Sequence, residues 1–231
     1  MFVPSVGTMD ITPNTLSRAA ALCAAGAGTI FIAVQINHPP LDLELVGTTE
    51  FIWRQSAKVV MTVLALAGIA GVYLSQTRRM GRLGLAGFLI FSAGYLAMFA
   101  VEAIALFALP TLEASAPGFV QDVLTAAAGG KPDGDIGGMQ VLLNVAGVGY
   151  MLGGLIFGIA LYRAGVVARW ASALLAVATT STLALAVLPE AFNRPFAIPT
   201  GIALIGVGWS SWKAQRTASS DDAARAELVS R

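Results

Sequence analysis

The chain has 231 residues, 56% of them hydrophobic and only 12% charged, with a formal net charge of +1. A soluble domain carries roughly 25% charged residues, so a water-soluble globular fold is excluded. A near-neutral chain with no basic patch offers nothing to a nucleic acid, and a single cysteine, Cys23, rules out an intramolecular disulfide.

Six apolar stretches follow one another along the chain, at 15–36, 57–76, 83–109, 138–162, 169–188 and 196–213. Crossing a bilayer core of roughly 30 Å takes about 20 helical residues, so each stretch reads as a transmembrane helix. Barrel strands alternate apolar and polar side chains, and these stretches do not. The expected fold is all-α: six transmembrane helices in one bundle, spanning residues 15–213. It is flanked by a short segment, 1–14, and a polar tail, 214–231. Too few residues remain for a second globular domain.

The first helix starts beside Arg18 and holds Cys23, a small apolar packing residue in that setting. Leu22 stands where a lipoprotein signal needs a small residue, so the segment reads as an uncleaved anchor. Pro39 and Pro40 end this helix. The next begins near Thr48 or Thr49, either of which can cap it, and Glu50, Arg54 and Lys58 then share a face at spacing four. Trp53 suits an interfacial anchor. A tight turn, "SQTRRMGR", leads to the third stretch, where Glu102 stands as the only charge between Arg82 and Glu113.

The connection 110–137 contains "APGFVQDVLTAAAGG", with Phe119, Val120, Val123 and Leu124 on one helical face. It predicts a short helix lying on the membrane surface. Asp133 and Asp135 follow in "GGKPDGDIGG", but no glutamate comes at the spacing a calcium loop requires. In the fourth helix Gln140 and Asn144 lie four apart. Glycines at 149, 153, 154 and 158 form overlapping small-xxx-small pairs, which predict close packing within the bundle.

Charge sets the expected orientation. With six spans, Arg18, Arg78, Arg79, Arg82, Arg163, Arg169, Lys213 and Arg216 share one side, and Arg54, Lys58, Lys131 and Arg194 the other. The positive-inside rule then puts both termini in the cytoplasm. Asp42, Glu44, Glu50, Glu113, Asp122, Asp133, Asp135 and Glu190 all fall outside.

One rhythm links the odd-numbered spans. Arg18 leads to His38 in 20 residues, Arg82 to Glu102 in 20, and Arg169 to Glu190 in 21. At about 1.5 Å per residue, each titratable group lies roughly 30 Å from the arginine end. An ionisable residue in a membrane helix costs about 3 kcal/mol, so it faces protein or a water-filled cavity. Glu102 therefore either locks helices together through Arg54 or Lys58, or serves an outward pocket with His38, Trp53, Arg54, Gln140, Asn144 and Glu190.

Three functions fit that pocket. The first is binding of a lipidic or amphipathic small molecule, or seating of a partner subunit. The second is acid–base chemistry on an isoprenoid or lipid, with Glu102 and Glu190 as the catalytic pair. The third is transport, disfavoured by unbroken helices. His38, Glu102 and Glu190 are the one set with metal-ligand chemistry, but no HxxxH or ExxH spacing supports it. No cofactor motif occurs: there is no phosphate-binding glycine loop, CxxC, HExxH or histidine pair for haem.

The stretch "GGLIFGIALYRAGVVARWASALLAVATTSTLALAV", followed by "AIPTGIALIGVGW", resembles a family of bacterial six-helix membrane proteins of unknown function. The likeness lies in a helix ending on a tyrosine, a short linker, and Arg169-Trp170 opening the next helix, within "LYRAGVVARW". It implies six helices and multi-pass insertion in a bacterial inner membrane. It implies nothing about chemistry.

Overall fold

A computed structural model describes residues 12–183 and 197–229 of the chain. Among these residues there are eight α-helices and no strand. They are α1 (Pro13–Ala33), α2 (Thr49–Leu74), α3 (Thr77–Phe107), α4 (Leu109–Leu112), α5 (Pro117–Ala127), α6 (Gly138–Ala164), α7 (Arg169–Ser181) and α8 (Ile198–Val229). Four of them, α1, α2, α3 and α6, are long and apolar enough to cross a membrane. The described part of α7 and the apolar part of α8 are shorter.

The helix starts follow local chemistry. The Thr12 side chain accepts a hydrogen bond from the amide of Thr15, with Pro13 in the first turn. The Thr48 hydroxyl does the same for the amide of Phe51 at 3.2 Å. That cap starts α2 eight residues before the apolar stretch at 57, because Glu50, Arg54 and Lys58 are helical too. Gly81 (φ 58°, ψ −154°) breaks α3 after its first turn; only glycine adopts this conformation without strain. Gly165 in the left-handed region ends α6. Helix α8 continues from its apolar part through the polar residues to Val229.

Six helices pack in chain order, α1 on α2, α2 on α3, α3 on α6, α6 on α7 and α7 on α8, and α8 returns to α1. The ring closes on an aromatic core of Phe31, Phe91, Tyr95, Tyr150 and Phe157. Phe91 and Tyr95 meet edge to face at 5.0 Å between centroids. The Tyr150 hydroxyl donates to Thr200 Oγ1 at 2.7 Å, tying α6 to α8.

The glycines of α6 set the tightest seam. Cβ atoms built on Gly149 and Gly153 would overlap the backbone of Gly94 and Phe91 on α3. On the other side, Gly154 and Gly158 meet Thr179 and Ala176 of α7. The glycine run therefore packs inside the bundle, against two neighbours at once.

A second apolar core sits at the end of the ring where α2 starts and α3 finishes. It joins Val46, Phe51, Ala105, Leu109, Ile136 and Met139 to Val120, Val123 and Leu124 of α5. Helix α5 thus buries Val120, Val123 and Leu124 against the protein itself. Its apolar face is spent on this core, which the amphipathic pattern alone could not distinguish from a face laid on lipid.

Candidate functional site

The two ends of the ring carry opposite chemistry. At the end capped by α5, Asp42, Glu44, Glu50, Glu113, Asp122, Asp133 and Asp135 lie on the connections, with Glu102 in the last turns of α3. At the other end lie Arg18, Arg78, Arg79, Arg82, Arg163, Arg169 and Arg216. Arg18 and Arg216 flank the Trp212 ring at 4.5 and 5.7 Å, which brings the start of α1 beside α8.

Glu102 has two partners, both on α2. Its Oε2 accepts a hydrogen bond from Gln55 Nε2 at 2.7 Å and lies 3.6 Å from Lys58 Nζ. The Lys58 and Glu102 side chains are only 14% and 16% exposed, and Gln55 is buried. Gln55 and Lys58 are three apart on one face of α2, so one turn of that helix supplies both donors. At 3.6 Å the ion pair is longer than the roughly 2.7–2.9 Å of a direct charge-assisted hydrogen bond. Lys58 therefore keeps donor capacity for another acceptor.

Arg54 does not reach Glu102. Its guanidinium donates to the carbonyls of Val34, Ile36 and Asn37 at 3.0, 3.2 and 3.0 Å, and to Glu50 Oε1 at 2.8–2.9 Å. Val34 caps α1, and Ile36 and Asn37 lie in the turn just after it, beside a helix C-terminus that favours positive charge. Arg54 is a clamp joining α1 to α2. Asn37, the only non-glycine residue with positive φ among the described residues, turns the chain there. His38 follows, with Nδ1 2.7 Å from the Pro39 carbonyl, so Nδ1 carries the proton.

The other sequence candidates lie apart from this cluster. Gln140 and Asn144 are exposed on α6 and bond to each other at 3.1 Å. Trp53 is 62% exposed at the start of α2. Glu190 lies outside the described residues, so its place beside Glu102 and His38 rests on the sequence rhythm alone. Among the described residues no three His, Cys, Asp or Glu side chains are grouped to hold a metal ion. Asp122 instead receives the amides of Asp133 and Gly134 at 2.9 and 3.1 Å, and Asp135 that of Gly137. These carboxylates fold the loop.

Gln55 was missed by sequence reasoning. Its signal was available: a polar residue one turn before Lys58 and on the same side of α2.

The chain matches no protein-family model, no curated protein and no solved structure. The likeness carried by "LYRAGVVARW" thus remains one of layout.

Proposed function

We propose that the chain is a multi-pass protein of a bacterial cytoplasmic membrane, crossing it six times through α1, α2, α3, α6, α7 and α8. Four sufficiently apolar helices and the closed packing order support this reading. The arginine-rich end then faces the cytoplasm with both termini, by the positive-inside rule. The acidic end, with α5 across it at the surface, faces outward.

We further infer that the outward end binds the polar group of a lipidic or amphipathic small molecule, or a polar side chain from a partner subunit. The observation that carries this is the cluster of Lys58, Glu102 and Gln55, set among apolar helices with a loose 3.6 Å ion pair. A polar cluster at membrane depth is costly and marks a ligand path or an interhelical lock. The spare donors of Lys58 favour the ligand.

The test compares Glu102→Gln with Glu190→Gln, scoring co-purified lipid by mass spectrometry together with melting temperature. Glu102→Gln keeps the side-chain volume and a hydrogen-bond partner for Gln55. Loss of ligand is expected, together with a lowered melt, because Lys58 loses its counter-charge. Wild-type ligand content in both variants would leave Glu102 a structural lock and defeat the reading.

A further inference from the structure

We propose that the arginine-rich end carries a binding site for the phosphate group of an anionic membrane lipid, seated between the start of α3 and the end of α6. The site is separate from the Glu102 cluster and does not depend on how that cluster functions. It rests only on the membrane placement of the ring.

A cavity of about 250 Å³ lies there, lined by Arg79, Met80, Arg82, Leu83, Ala160 and Arg163. A second cavity, of about 570 Å³, shares Arg79 and adds Gln76 and Arg78. The first thus gathers three guanidiniums from two helices, and a fourth stands next door. Among the described residues, the only ion pairs are Glu50–Arg54 and Lys58–Glu102, so none of these four arginines has a carboxylate partner. Like charges brought together without a counter-charge repel one another, and an anion between them removes that cost. Guanidiniums also match the oxygen geometry of a phosphate with paired N–H donors.

Two further features adjoin this space, Gln76 in the lining of the second cavity and Gly81 at the break in α3. Gln76 is 5% exposed, and its side-chain oxygen is buried without a hydrogen-bond partner. A half-turn of that amide presents two N–H donors at the same position. Gly81 breaks α3, so Arg82 and Leu83, both cavity residues, open the long part of the helix. The positive end of that helix dipole therefore adds to the field at the cavity.

The surroundings favour a lipid over a free ion. Met80, Leu83 and Ala160 give the cavity an apolar side. On α6, exposed Ile159 and Leu152 lie four and eleven residues before Arg163, on the same face, and lead away into the apolar belt. Acyl chains laid along that surface would bring their headgroup to the arginines. An excess of arginine required only for orientation needs neither a shared cavity nor an apolar track.

The experiment uses the full chain purified in a neutral detergent. Native mass spectrometry follows binding of phosphatidylglycerol, of zwitterionic phosphatidylcholine, and of phosphatidylglycerol in the presence of millimolar inorganic phosphate. The variant is Arg79→Gln with Arg82→Gln and Arg163→Gln. Its control removes equal charge from the same end outside the cavity: Arg169→Gln with Lys213→Gln and Arg216→Gln. The cavity variant should bind phosphatidylglycerol about tenfold more weakly or worse, and the control less than about twofold more weakly. Phosphatidylcholine binding should be weak throughout. Equal losses in both variants would reduce the effect to bulk charge and overturn the site. Full competition by inorganic phosphate would overturn the lipid as its occupant. If the triple variant fails to accumulate, Arg163→Gln against Arg163→Lys decides. Partial recovery by lysine supports a charge site, and wild-type binding in both variants overturns it.

Discussion

At one end of the ring the charges that enter the helices are answered. Glu102 has Lys58 and Gln55, and Arg54 has Glu50 and three carbonyls. At the other, Arg78, Arg79, Arg82 and Arg163 stand together with no carboxylate among the described residues within ion-pair distance. The two ends therefore spend charge differently. Paired charges at the first hold helices in register, so removing one leaves another buried and uncompensated. Unpaired charges at the second contribute little to the fold and remain available to something outside it.

Substitutions can break or sharpen that contrast. The largest effect should come from the frame both ends share. Gly153→Leu forces a side chain into the backbone of Phe91. It should cost at least about 3 kcal/mol, beyond the usual range for overpacking, because backbone and not a flexible side chain must move. A fall in melting temperature of roughly 10 °C or more is expected, and an unchanged melt would mean the α3–α6 seam is not formed as described.

Next comes the paired end. Lys58→Met leaves Glu102 largely buried without its cation and should cost about 3 kcal/mol, the low end for such pairs because both groups are slightly exposed. Adding Glu102→Leu should restore much of that loss, since two apolar groups replace the pair. If the double variant melts lower than Lys58→Met alone, the pair is not what holds α2 to α3.

The smallest effect belongs to the arginine-rich end. Arg78→Gln or Arg82→Gln should change stability by no more than about 0.5 kcal/mol, as for other exposed residues without a partner. A loss as large as that of Lys58→Met would erase the difference between the ends.

Much of the layout was legible because it rests on patterns the chain cannot hide. Apolar length marked α1, α2, α3 and α6, and Thr48 announced the start of α2, whereas α1 ends at Ala33, ahead of the turn at Asn37 and of the prolines expected to stop it. The glycines of α6 announced its close packing, because only backbone-on-backbone contact demands so many at helical spacing. What sequence left open was pairing across helices. Arg54 and Lys58 lie one turn apart, so either could have met Glu102. Only the turn at Asn37 shows that Arg54 is taken by the α1 carbonyls. Helix α5 shows the same ambiguity, since an apolar face fits a membrane surface and a small protein core equally well. The Tyr150–Thr200 bond, fifty residues apart in sequence, left no local trace at all.

The proposed placement requires the two ends to face opposite sides of one membrane. The direct measurement places single cysteines at Ser115, beside α5, and at Thr77, the exposed first residue of α3, with Cys23 replaced by alanine. Intact bacterial cells are treated with a membrane-impermeant maleimide. The cysteine at Ser115 should be modified in intact cells, and the one at Thr77 should react only after permeabilisation. Labelling at Thr77 in intact cells, with Ser115 protected, would invert the orientation. Labelling at both would contradict a membrane between them.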